Sequence, residues 1–183
     1  MKKITYNVYL FDELGKEAQE KAIEDARDNG INTDYDWHDW ILEEAKEKLE
    51  RQGFENAEIN FSGFYSQGDG ASFNCDVNLD KFLSGRRCKT EYRKQLEEEE
   101  LSICIRNNSN HCHEYTMNIE FDDYANDVMT DKLEAFILEE ARDQARKIYR
   151  ELEKENNYLM TDESITETLI ANEYYFTEEG KID

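Results

Sequence analysis

Two stretches of the chain hold the residue types from which a site can be built. The first is Phe61-Ser62-Gly63-Phe64-Tyr65-Ser66-Gln67-Gly68-Asp69-Gly70-Ala71-Ser72-Phe73. Three glycines let a backbone turn tightly or approach a ligand. Ser66, Gln67, Asp69 and Ser72 offer short polar groups, and Phe64 and Tyr65 offer flat surfaces. That combination suits a pocket for a base, a sugar or a peptide; it equally suits a tight hairpin turn. It is not a phosphate loop, because the Lys-Ser/Thr ending and the strand-to-helix setting are missing. The second stretch is His111-Cys112-His113. In a strand both imidazoles would face one way and could share an ion. A third and fourth ligand are not evident, since Cys75 or Asp69 would serve only if two hairpins lay close, so no metal and no cofactor are expected. Cys112 would point away from its flanking histidines, because strand neighbours alternate. Carboxylates are too many for an acid/base pair to be singled out, and no catalytic residue is assigned. The expectation is a protein that is not an enzyme.

The whole composition narrows the classes further. Of 183 residues, 44 are acidic and 22 basic, a net charge of -22. Such a chain repels phosphate, which argues against direct binding of nucleic acid. The same acidity keeps a protein dissolved, and it can also imitate a nucleic acid in the groove of a basic protein. Eleven Tyr and nine Phe make wholesale disorder a poor reading. No apolar run approaches the ~20 residues of a membrane helix. The opening MKKITYNVYLFDELGKE has no apolar signal core, so a cytoplasmic location is expected. Proline is absent, where average usage predicts about nine, so Gly, Asn and Asp must make the turns. Cys75, Cys88, Cys104 and Cys112 form no CxxC and read as reduced thiols, at least two of them half-buried in strands.

Periodicity supplies the elements that would position these groups. Ile4, Tyr6, Val8 and Leu10 alternate and predict an N-terminal strand with those four on one side. A helix over 16–29 carries a stripe of Ala18, Ala22, Ile23 and Ala26, with Gly30 as its left-handed stop. A second helix over 34–52 follows, with Trp37, Ile41, Ala45 and Leu49 inward and Asp34, Asp36 and Asp39 in its first turns. Both Trp37 and Trp40 are read as core anchors. Alternation through Ala57, Ile59 and Phe61, and through Ala71, Phe73, Cys75, Val77 and Leu79, predicts a hairpin about the Gly-rich turn. Residues 81–100 are read as a weak helix with a basic cluster of Arg86, Arg87, Lys89, Arg93 and Lys94, neutralised by Glu97 to Glu100. A second hairpin pairs Leu101, Ile103 and Ile105 with Tyr115, Met117, Ile119 and Phe121 across the polar loop 106–113. A long helix over 131–156 is capped by Thr130, and a short one after Thr161 carries Ile165, Leu169 and Ile170. Tyr174-Tyr175-Phe176 is too aromatic for a free tail and should pack back. The sum is an α+β fold in one domain, 1–183. An antiparallel sheet of two hairpins plus an N-terminal strand carries helices on one face, those at about 131–172 included.

The run INFSGFYSQGDGASF resembles a segment found in a widespread family of small, acidic, uncharacterised proteins of tailed phages and prophages. The stretch from Asn110 to Met117 is similar to that family's second hairpin, and Tyr158 to Ile165 and Asn172 to Gly180 are similar to its ending. The resemblance covers nearly the whole chain. It implies a phage accessory protein acting in the host bacterium's cytoplasm, with no catalytic residues to carry over. Some relatives carry an antitoxin label, so an antitoxin-like role is one alternative.

On this basis the leading expectation is a protein that binds a host factor, a defence component or a DNA-binding protein. The candidate contact residues are Phe64, Tyr65, Ser66, Gln67, Asp69, Ser72, Arg106, His111 and His113. A second reading is a sponge for a nucleotide signal. There Tyr65 would stack on a base, and Arg86, Arg87 or Arg106 would neutralise phosphate. A homodimer through the open side of the sheet is a further expectation.

Overall fold

A computed structural model describes residues 7–84, 91, 92, 95, 101–122 and 129–183. Most of the basic segment 85–100, with Arg86, Arg87 and Cys88, lies outside the described residues. The fold is α+β, and helices pack against an antiparallel sheet. Contacts gather into two compact units: Met1–Trp37 with Lys154–Asp183, and His38–Glu153. Among the described residues no helix is long and apolar enough to cross a membrane.

The terminal unit joins the two ends of the chain. Strand β1 (Tyr9–Leu10) pairs antiparallel with β6 (Tyr175–Phe176), Tyr9 opposite Phe176. Helix α1 (Lys16–Asp28) ends before Gly30, whose φ of +66° is the expected left-handed stop. The last helix, α5 (Asp162–Ala171), starts on the Thr161 side chain, which accepts the Ser164 N–H. Its Ile165 and Leu169 meet the small stripe of Ala22 and Ala26, with Phe11, Leu14 and Phe176 completing the core. Small side chains let the two helices approach closely, so α5 docks on α1. Arg27 ties the two by donating to the Met160 carbonyl and pairing with Asp162.

Two expectations change here. The N-terminal strand is short and stands outside the main sheet, because its partner comes from the opposite end of the chain. Val8 and Leu10 are exposed and Tyr9 is half-buried, the reverse of the predicted facing; Ile4 and Tyr6 lie outside the described residues. Ile170 is also exposed, since only Ile165 and Leu169 fall on the α1 side.

The central unit holds the main sheet. Its strands are β2 (Phe54–Phe61), β3 (Ala71–Val77), β4 (Ile103–Asn107) and β5 (Met117–Phe121), in the order β2-β3-β4-β5. Helix α2 (Asp39–Arg51) begins about a turn later than its periodicity suggests, and only Asp39 falls in its first turn. A short helix α3 (Leu79–Leu83) takes Leu79 out of the strand it was expected to end. The long helix α4 (Asp131–Leu159) begins where Thr130 Oγ1 accepts the Leu133 N–H, and its residues to Glu153 belong to this unit.

Register decides the two faces of the sheet. Phe73, Cys75, Ile105 and Met117 point inward and are buried. Phe54 packs edge-on against Phe73 and Phe82, and Phe82 against Phe136 of α4. Truncating such a phenylalanine to alanine costs about 3–5 kcal/mol. The outward face carries Glu58, Asn60, Asn74, Asp76, Arg106, Asn118 and Glu120. A bulge between Glu55 and Glu58 places Asn56 at φ +56°, where its amide donates to Asp76. That bond, followed by the Arg106 guanidinium, holds the Asp76 carboxyl below its ordinary range. Burial pushes the Cys75 thiol up to about 12.

Candidate functional site

In an antiparallel sheet of this order, the β2–β3 and β4–β5 turns fall at the same end. The two sequence stretches singled out for chemistry therefore meet. Their closest approach is at Gly70: a Cβ there would lie 3.0 Å from the Cys112 carbonyl oxygen and 3.1 Å from His113 Cδ2. A side chain at position 70 would make the second loop give way by a few tenths of an ångström.

The glycine loop, residues 62–70, is organised by Asp69. Its Oδ2 accepts the Tyr65 N–H at 3.0 Å and the Ser66 N–H at 2.7 Å, while Asp69 N–H donates to the Ser66 carbonyl. Ser62 and Gly70 close the neck, with Ser62 N–H donating to the Gly70 carbonyl and Gly70 N–H to Ser62 Oγ. Phe64 faces inward, stacked at 6.0 Å on Phe61 and tilted at 5.5 Å against Tyr149 of α4. The Tyr149 hydroxyl donates to the Gly63 carbonyl at 3.1 Å. Burial raises the Tyr149 phenol above its ordinary value, and the charges of Glu153 and Asp69 add to it. With its amides taken up below, the loop presents Tyr65 outward, 79 % exposed, beside the exposed Ser66 and Gln67.

The second loop, residues 108–116, hangs from Asn107 at the end of β4. The Asn107 amide donates to Ser72 Oγ at 2.8 Å and to the His111 carbonyl at 2.9 Å, and its Oδ1 accepts the Ser109 N–H. Its own N–H donates to Asn74 Oδ1. His113 stacks on Tyr115 at 5.3 Å and accepts the Tyr115 N–H through Nδ1. Glu114 Oε2 lies 2.9 Å from that same nitrogen, so the two contacts require opposite protonation states of it. Tyr115 sits in a 3₁₀ turn, Glu114–Thr116, and is 67 % exposed. The Arg142 guanidinium lies 5.7 Å from its ring centre and donates to the Met117 carbonyl. Arg142, Arg146 and Tyr149 follow one another along one side of α4, and Arg146 pairs with Glu139 and Asp143.

The predicted contact residues thus divide. Tyr65, Ser66, Gln67, Asp69, His111 and His113 gather at this end. Phe64 belongs to it as a support. Ser72 is fully buried, its hydroxyl spent on Asn107, because the second loop closes over it. Arg106 points to the outward face of the sheet, where it donates to the Cys75 and Ile105 carbonyls and to Asp76. Segment 111–113 is not a strand, so the alternation that would have aimed both histidines one way does not apply. Among the described residues, neither histidine joins a group of three donor side chains close enough to share an ion.

Three contributors were missed. Alternation places Tyr115 in a strand, but it falls in the 3₁₀ turn that precedes β5. Tyr149 lies on the long helix, where spacing alone makes it part of the apolar stripe. Trp40 was read as a core anchor, yet it is 58 % exposed while Trp37 is buried. The i, i+4 series Trp37-Ile41-Ala45-Leu49 already leaves Trp40 off the inward line. His38, just before α2, packs edge-on against Phe61 at 5.1 Å, so α2 starts at the base of the glycine loop.

The arrangement defines an α+β protein whose sheet presents two anchored loops and exposed aromatic side chains at one end. The family model for a domain of unknown function (DUF8835) matches residues 37–162, more than half of the chain, and the chain belongs to that family. No curated protein and no solved structure matches it.

Proposed function

We propose that this is a non-enzymatic binding protein whose loop end seats a protein partner, and that it serves as a phage accessory protein acting on a host factor in the bacterial cytoplasm. The observation that carries the reading is the pair Tyr65 and Tyr115, strongly exposed on loops whose backbones are tied from below. Tyrosine gives a large amphipathic contact with few torsions to freeze, and Ser, Gly and Asn around it adapt their hydrogen bonds to a partner. Anchored loops also lower the ordering cost of association. The net charge of -22 favours a basic partner, such as a defence protein or a DNA-binding protein, with affinity that falls as salt rises. The phage assignment rests on the resemblance of the Ile59–Phe73 run and the C-terminal segments. A nucleotide sponge would need a cation beside Tyr65; of the three arginines named for that role, Arg106 is committed elsewhere, and Arg86 and Arg87 lie outside the described residues.

The test is a pull-down from host lysate at low and high salt, with the wild-type protein and a Tyr65→Ala/Tyr115→Ala variant. A host protein retained by the wild type and lost by the variant supports the reading. Retention by both overturns the loop end as the contact. Recovery of nothing at either salt, with a nucleotide raising the melting temperature, transfers the function to the small-molecule class.

A further inference from the structure

We propose that the contact surface continues from the glycine loop onto the first turn of α2, where Trp40 receives an arginine side chain of a basic protein partner. This rests on the loop-end reading and extends it to a residue outside both loops.

Single exposed apolar residues are common on protein surfaces, and exposure alone says little. Trp40 is set apart by its position and its surroundings. It stands in the first turn of α2, two residues from the His38 ring that packs on Phe61, the ring on which Phe64 stacks. The indole is therefore carried, exposed, on the first turn of a helix that starts beside Phe61 at the base of the glycine loop. Tryptophan is the side chain most enriched in binding hot spots.

The neighbouring charge selects the ligand chemistry. Helical spacing places Glu43 and Glu44 beside Trp40, and Asp39 precedes it. All three carboxylates are exposed. The cations of the helix are Lys46, Lys48 and Arg51, which pair with Glu43 at 2.7 Å, Glu44 at 3.1 Å and Glu47 at 3.6 Å. Asp39 lies 3.8 Å from His38 and close to Asp36. A flat electron-rich face with carboxylates at its edge fits a planar, weakly hydrated guanidinium better than a compact, strongly hydrated ammonium. The chain's net charge draws any basic segment in, and the indole discriminates within that class.

Two labelled octapeptides of equal charge, one of arginine and one of lysine, test this by fluorescence anisotropy on the full chain. The wild-type protein is expected to prefer octa-arginine by about fivefold. Trp40→Ala should erase that preference while leaving octa-lysine affinity within about twofold, and Trp40→Phe should keep part of it. Unchanged melting of the variants confirms that the fold is intact. A preference that survives Trp40→Ala, or a wild-type protein that binds the two peptides equally, overturns the proposal. Those outcomes leave the loop-end reading standing wherever Tyr65→Ala/Tyr115→Ala still abolishes capture of the host protein.

Discussion

The two loops at this end of the sheet are held in opposite ways. In the glycine loop a carboxylate collects amides from within the loop itself, and the loop is then pinned to helix α4 through Phe64 and Tyr149. In the second loop a neutral carboxamide, rooted in β4, reaches both into the loop and across to β3. One loop is thus a self-contained turn leaning on a helix, and the other is an outgrowth of the sheet. The difference matters because a bond that also satisfies a buried group costs more to lose than one near water.

Asn107→Ala should therefore do the most damage. It leaves the buried Ser72 hydroxyl unpaired and frees Ser109 and His111, a loss of about 2–4 kcal/mol in urea denaturation. Equal stability of variant and wild type would break the contrast between the loops. Gly70→Ala probes their junction. A methyl 3.0 Å from the Cys112 carbonyl must push the second loop away, at about 1–3 kcal/mol. Amide exchange should quicken in residues 108–116 with the glycine loop unmoved; the converse pattern would show that the first loop is the one that yields.

Asp69→Ala should cost about 1 kcal/mol, because its amide bonds lie near solvent. Exchange should rise at Tyr65 and Ser66 alone. Tyr149→Phe removes one donor to the Gly63 carbonyl and should cost about 1 kcal/mol or less. Its pH dependence sharpens the comparison. The folded phenol titrates above the ordinary value near 10, so its contribution is complete below that value and is lost as pH rises through the folded one. The advantage of wild type over Tyr149→Phe should shrink above about pH 10. A gap that stays constant there would remove Tyr149 as the tether of the glycine loop. The smallest stability effect belongs to Tyr65→Ala, within about 0.5 kcal/mol, since the side chain is 79 % exposed; its cost appears only in binding.

Much of this architecture is written in local patterns. Of the stripe Leu133, Phe136, Ile137, Ala141, Ala145, Ile148, Tyr149 and Leu152, all but the half-buried Phe136 and Tyr149 are buried, and Thr130 and Thr161 cap the helices they precede. Both hairpins follow from alternation, because facing in a strand is a property of the backbone itself. The candidate site was legible in part. Tyr65 and Asp69 could be picked from a turn by composition. The fates of Ser72 and Arg106 could not, because one depends on a loop from another hairpin and the other on the carbonyls of two adjacent strands.

The sequence by itself determined most of the elements, the buried sides of the long helix and of both hairpins, and a net charge of -22, since each follows from residue type and short-range spacing. Only the tertiary structure decided that β1 pairs with β6 from the far end of the chain, that Gly70 is where two distant loops touch, and that Trp40 faces solvent while Trp37 does not. Those outcomes depend on which strands lie side by side and which helix reaches under a loop. Such long-range pairings are set by the packing of the whole chain, and no window of neighbouring residues contains them.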